Sequence, residues 1–317
     1  MAQPSQNLAN LLEYFGIRSR SYYHSVPEVT HDLSDPLAYY LNFLPRSDYR
    51  GPFTQSGLPL TPGPSGPFVF PTHVAMYALG HLEIFRRTRS DESLARFRIC
   101  ADWLVENQQA DGAWPVNAPK KEFGLASPFR SAMVQGLAIS VLVRAARALS
   151  DRKYADSAER GLQPFDKKVV DGGVTSFHDA GPFYEEYPCQ PPCHVLNGCI
   201  YALLGLHDLK REGSSDASRR FDSGLRTLAA WLPRYDMGSW SRYHLPEAPT
   251  NPATVAYHRL HINQLSALYG LTSEPVFLEY RDRWQAYGNK RLNALRTLPA
   301  KLYWVMGRRR QEPPLST

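Results

Sequence analysis

Leu94, Phe97, Ala101 and Leu104 recur at intervals of three and four residues, the spacing that lays side chains along one face of a helix. The segment DESLARFRICADWLVENQ therefore reads as an amphipathic helix, with Asp91 at the expected cap position. Pro71 opens a helical segment just before it, PTHVAMYALGHLEIFRRT. Three further pairs follow: RSAMVQGLAISVLVRAARALS with DRKYADSAERGLQPF, HVLNGCIYALLGLHDLKREG with DASRRFDSGLRTLAAWLPRY, and YHRLHINQLSALYGLT with EPVFLEYRDRWQAYG. Their inner helices begin roughly sixty residues apart, and three share a related core, AMYALGHLE, CIYALLGLHDL and LSALYGLT. Hairpins too apolar to stand alone bury their faces by stacking on one another. The pattern predicts an all-α chain, an (α/α) toroid or incomplete barrel of about four helical hairpins. The long segments 109–129, 165–194 and 233–256 are expected at one rim, where loops of such length are more often functional than idle.

Helical periodicity is not sustained over the first 70 residues, which are rich in Pro, Gly and Tyr. They are expected to form an extended arm on the body, with a short hairpin. The division that follows is an arm over 1–70, a toroid over 71–290 and a basic C-terminal helix and tail over 291–317.

A formal charge of +6 suits an anionic partner, and a 43% hydrophobic content is ordinary for a globular chain of 317 residues. The N-terminus shows no basic segment followed by an apolar run, so no secretory signal is expected. The longest apolar run, LAISVLV, is far shorter than a membrane span. A cytoplasmic location is expected, with peripheral membrane contact through the basic C-terminus and a homodimer both left open. No nucleic-acid signature is visible. Four cysteines in such a chain are expected to be free thiols.

Candidate chemistry concentrates in two stretches. YEEYPCQPPCHVLNG sets Glu185 and Glu186 between two tyrosines, with Pro188 blocking a helix. A carboxylate beside a phenol suits removal of a proton from a weak carbon acid, one group taking the proton and another polarising the adjacent carboxyl. In VAYHRLHINQL, His258 and His261 are one helical turn apart, with Tyr257, Asn263 and Gln264 nearby. Cys189, Cys193 and His194 lack a fourth ligand for zinc, and no metal is expected. In QQADGAWPV, Asp111-Gly112 is a turn signal, and Trp114 is either a structural corner or a sugar-stacking wall.

Beyond these local readings, the chain resembles the heparan-type glucuronyl C5-epimerases. The resemblance rests on DWLVENQQADGAWP, SAMVQGLAISVLVRA, YEEYP followed by VLNG, YALLGLHDLK, LPRYDMGS, YHRLHINQL and PVFLEYRDRWQAY, in that order over roughly residues 57 to 287. The chain is similar to a compact bacterial member, without the β-rich insertion and the Golgi anchor of animal members. The resemblance implies cofactor-free inversion of carbon 5 of a hexuronate within an acidic polysaccharide, D-glucuronate to L-iduronate. It also implies roles: Glu186 and Tyr257 flank carbon 5, Tyr187 assists by hydrogen bonding, and Tyr243 reaches the substrate. A phenolate base would need nearby positive charge, for which Arg130, Arg242, His258 and His261 are candidates. Arg130 and CQPPC depart from the family pattern. Tyr40, in YYLNFLPRSDYRGPF, is a candidate for closing one side of the cleft. Two alternatives stay open: a polysaccharide lyase acting on the same proton, and a non-catalytic glycan-binding protein.

Overall fold

The computed structural model describes residues 26–63, 66–245 and 249–309. Residues 1–25 of the expected arm and 310–317 of the expected basic tail lie outside them.

The described chain is all-α in character, built from helical pairs as expected. The pairs are α1 (Pro71–Thr88) with α2 (Asp91–Glu106), α3 (Ala132–Leu149) with α4 (Arg152–Arg160), α5 (Leu196–Arg211) with α6 (Ser215–Trp231), and α7 (Val255–Thr272) with α8 (Pro275–Gly288). Two short helices, α9 (Arg291–Arg296) and α10 (Leu298–Arg309), follow. Proline begins α1 and α8, where its missing N–H costs nothing. The cap of α2 is Ser90, whose Oγ accepts from the Ser93 N–H at 3.2 Å. It stands one residue ahead of the expected Asp91, which serves instead as an acid in the first turn, where the helix dipole favours negative charge.

These residues form two compact units. The larger holds Pro27–His194 and Gly198–Ala230; the smaller holds Val26, Val195–Asn197 and the described residues from Trp231 onward.

In the larger unit, α3 is the core helix. It has the length and composition of a membrane span, with 72% of that window buried within the protein. Gly136 lets it touch α5, since a Cβ there would lie 2.6 Å from Ala202 Cα. Close backbone approach of this kind requires glycine. A buried ion pair joins the same two helices: Arg144 Nη1 donates to Asp208 Oδ2 at 2.7 Å and Nη2 to Oδ1 at 3.0 Å. Arg144 also donates to Ala38 O at 2.8 Å, and Tyr40 Oη donates to Asp208 Oδ1 at 2.6 Å. The described part of the arm is thus tied to the helices by a charge pair whose lone pairs are satisfied, the condition under which buried ions persist.

Three two-stranded antiparallel sheets complete this unit. β1 (Glu28–Val29) pairs with β2 (Leu41–Asn42), and β3 (Leu60–Thr61) pairs with β4 (Phe68–Val69). The segment 165–194, expected only as a rim loop, contains a hairpin: β5 (Thr175–His178) pairs with β6 (Gly181–Tyr184), Thr175 opposite Tyr184 and His178 opposite Gly181. In the smaller unit α7 packs on α8, and the preceding loop is pinned by the bridges Asp236–Ser241 and Arg242–Pro252.

Candidate active site

The β5–β6 hairpin delivers the acidic pair. Immediately after β6, the Glu185 backbone is fixed from both sides: its N–H donates to Val174 O at 2.8 Å and its carbonyl accepts from Ala132 N–H at 2.9 Å. The Glu185 side chain is fully buried. Its Oε1 accepts from Ser176 Oγ at 2.6 Å and from His194 Nδ1 at 2.6 Å, while Oε2 accepts from the His194 backbone N–H at 3.0 Å. With the Ser176 proton committed to Glu185, His178 Nε2 donates to Ser176 Oγ at 3.0 Å. Glu185 is therefore spent on internal contacts, and the neighbouring Glu186 points elsewhere. Glu186 lies against the first turn of α5, where a Cβ on Gly198 would come within 2.9 Å of its Cγ and 2.5 Å of Oε2. A helix N-terminus is a favourable place for a carboxylate.

Tyr187 is half-buried and stacks on Phe123, with centroids 4.2 Å apart and planes at 23°; the Lys120 ammonium lies 5.7 Å from its ring centre. The Tyr187 carbonyl accepts from Cys189 N–H at 2.8 Å and from Cys193 Sγ at 3.7 Å. The Cys189 and Cys193 sulfurs are 3.4 Å apart, and all four cysteines are free and buried.

The smaller unit carries the second set of candidates on α7 and the loop before it. Thr254 caps α7 by accepting from Tyr257 N–H at 3.2 Å, which sets Tyr257 in the first turn. Its half-buried ring meets the Tyr243 ring edge-on, with centroids 4.7 Å apart. Tyr243 is held by backbone bonds, its N–H to Asn251 O at 2.9 Å and its carbonyl from Leu196 N–H at 3.2 Å. Asn263 is half-buried on α7, and the buried Gln264 donates from Nε2 to Asn197 O at 3.0 Å.

His258 and His261 lie on the inner side of α7. His258 Nε2 donates to Trp284 O at 2.9 Å, so its Nδ1 is the acceptor for Ser241, whose Oγ is 2.8 Å away. The ring is stacked on Trp240 at 3.7 Å. His261 Nδ1 shares the same Ser241 Oγ at 3.1 Å. Burial lowers the His258 pKa from 6.5 to about 4 and holds that of His261 well below its ordinary value. Both imidazoles are neutral at neutral pH. The expectation that they supply positive charge to a phenolate is corrected, because both rings are neutral; His258 spends its nitrogens on Trp284 O and Ser241, which ties α7 to α8, whereas His261 Nε2 is buried with no hydrogen-bond partner among the described residues.

Two other expected substrate contacts, Trp114 and Tyr40, are buried. Trp114 is 1% exposed and donates its indole N–H to Leu104 O at 2.7 Å, which makes it the structural corner and not a sugar wall. Tyr40 is fully buried on Asp208, where burial pushes its phenol well above its ordinary range, so it closes no cleft. Arg130 pairs with Asp111 and donates to Gly172 O, and 25% of its side chain stays exposed. Gly198, Ser176 and Ser241 escaped the sequence reading. The glycine within VLNG was the available sign of close approach; nothing in the sequence pointed to the two serines.

Among solved structures, the chain is similar to an unsaturated glucuronyl hydrolase from Bacillus sp. GL1, with 18% identity, a TM-score of 0.46, 71% of this chain covered and 62% of the other. It is similar to a D-mannose isomerase at 14% identity and TM-score 0.46, over 69% of this chain and 58% of the other. Among proteins, it is 37% identical over 226 residues to the D-glucuronyl C5-epimerase of Caenorhabditis elegans, covering 64% of this chain and 36% of that protein. It is 29% identical over 177 residues to the uncharacterized protein MJ1128 of Methanocaldococcus jannaschii, covering 54% of this chain and 56% of that protein. The chain thus spans between about a third and about half of the relatives it matches. The profile of the D-glucuronyl C5-epimerase C-terminus matches residues 108–286, more than half of the chain, with Glu186, Tyr187, Tyr243 and Tyr257 inside the match. This chain belongs to the D-glucuronyl C5-epimerase C-terminus family.

Proposed function

We propose that the chain inverts carbon 5 of hexuronic acid residues, D-glucuronate to L-iduronate, within an acidic polysaccharide. The observation that carries this reading is the family match over 108–286, which includes both the acid–phenol stretch and the α7 tyrosine. The proton on carbon 5 is adjacent to a carboxylate, so its removal leaves charge that spreads into the carboxyl oxygens. Of Glu186 and Tyr257, one takes that proton and the other supplies a proton to the opposite face. The substrate leaves as its C5 isomer with no net gain or loss of atoms. Tyr187 and Tyr243 hold the sugar by hydrogen bonding, and the net positive charge of +6 favours a polyanion.

The fully buried Glu185 cannot share this work, because its oxygens already accept from Ser176 and His194. Two adjacent carboxylates thus have separate tasks, one in the scaffold and one in the chemistry. The test is substitution. Glu186→Gln and Tyr257→Phe should each abolish hydrogen exchange at carbon 5 while polymer binding and melting temperature stay near wild type. Wild-type turnover in either variant would show that the pair is misassigned.

A further inference from the structure

The network behind Glu186 has the composition of a metal centre. His178, Glu185 and His194 each offer one ligand atom, and these atoms all lie within 4.8 Å of one another. Two imidazoles and one carboxylate form a donor set that zinc accepts. All three come from one stretch of the larger unit: His178 ends β5, Glu185 follows β6, and His194 precedes α5.

Three features distinguish this cluster from a chance meeting of polar side chains. Glu185 is wholly buried, and its only ion-pair partner among the described residues is His194. Burial of a carboxyl group is costly unless hydrogen bonds or a compensating charge satisfy it, and a bound cation is one such partner. The donors are also oriented from behind, as ligands of metal sites are: Ser176 Oγ donates to Glu185 Oε1, and the His194 N–H fixes Oε2. Finally, His194 adopts a left-handed backbone conformation, φ 49°, which non-glycine residues seldom enter and which here aims its ring at Glu185. His178 is half-buried at the hairpin end, so the third donor stands on the accessible side of the cluster.

We propose that His178, Glu185 and His194 bind a divalent transition-metal ion of the zinc class, clamping the β5–β6 hairpin to the chain that enters α5. Ligand bonds of about 2.0–2.1 Å would draw the His178 ring inward and open the short Glu185–His194 contact slightly. The three protein ligands leave a fourth position to water on the half-buried His178 side, and the ion lies on the Glu185 side of the acidic pair and leaves Glu186 to the sugar. The proposal stands on the cluster alone and does not depend on the epimerase reading.

The experiment uses the full chain stripped with a chelator, titrated calorimetrically with zinc and, separately, spectroscopically with cobalt(II). Wild type should bind one ion per chain, with a cobalt spectrum free of thiolate charge transfer. His178→Ala, at the half-buried position least needed for folding, should weaken zinc binding by at least about tenfold, as should Glu185→Gln. The double variant Cys189→Ser, Cys193→Ser should bind as wild type does. No uptake at millimolar zinc, unchanged binding in His178→Ala, or loss of binding in the cysteine variant would each overturn the proposal. The first two would leave the cluster as a hydrogen-bond network, and the third would move the site to the thiols.

Discussion

Gly198→Ala is the sharpest probe of how the fold serves the chemistry. The added methyl would lie 2.4 Å from Glu186 Cβ, 2.5 Å from Oε2 and 2.9 Å from Cγ, inside the distances that packed atoms tolerate. Because the nearest atom is Cβ, the Glu186 side chain and the backbone that carries it must move by roughly 1 Å relative to α5, and a displacement of about 1 Å at a reacting group costs on the order of a hundredfold in rate. Overpacking costs ~1–3 kcal/mol, while alanine gains ~1 kcal/mol over glycine within a helix, so the net loss of stability should stay below about 2 kcal/mol. The distinguishing signature is a large fall in turnover with a small change in folding. The assay is the rate of deuterium entry at carbon 5 under saturating polymer, alongside chemical denaturation. Gly270→Ala on α7 is the control, since nothing lies within 4 Å of its Cβ position, and it should keep the wild-type rate. Exchange in Gly198→Ala at the wild-type rate would refute the placement of Glu186 as a reacting group.

Two further outcomes concern stability. Asp208→Ala leaves the buried Arg144 guanidinium unpaired and removes the acceptor of Tyr40 Oη, so it should destabilise the protein by roughly 3–5 kcal/mol in urea denaturation; a loss below about 1 kcal/mol would contradict the tie between arm and helices. His207 and His258 are held at about 4 by burial, below their ordinary 6.5, so the unfolded chain binds more protons between those values. Stability should therefore be full above about pH 6.5 and fall as pH drops toward 4, by roughly 1–3 kcal/mol per imidazole. Equal denaturation midpoints at pH 7 and pH 4.5 would contradict their burial as neutral rings.

Much of the helical frame is legible in the sequence because its signals are local. Proline at Pro71 and Pro275 marks helix starts, and the three-and-four spacing of Leu94, Phe97, Ala101 and Leu104 marks a face that the structure buries at Phe97, Ala101 and Leu104. The β5–β6 hairpin was not legible, since four-residue strands carry too short a pattern to stand out from a loop. The corrections at Tyr40, Trp114 and His258 share one cause. Each side chain belongs to residues that the reading took as open to a ligand, yet each finds its partner through the fold: Tyr40 meets Asp208 across 168 positions, and His258 meets Trp284 across 26. Polar partners of that kind are set by packing, which no local spacing records. Glu185 and Glu186 make the same point at one step of separation: just past the end of β6, one carboxylate meets Ser176 and His194 and the other meets Gly198.

The most direct test of the account is to incubate the protein with an unsulfated glucuronate polymer in deuterated water and follow carbon 5 by NMR and chain length by size exclusion. The account expects deuterium at carbon 5, L-iduronate signals and chains of unchanged length. Polymer that stays free of deuterium, or shortened chains with unsaturated ends, would contradict it.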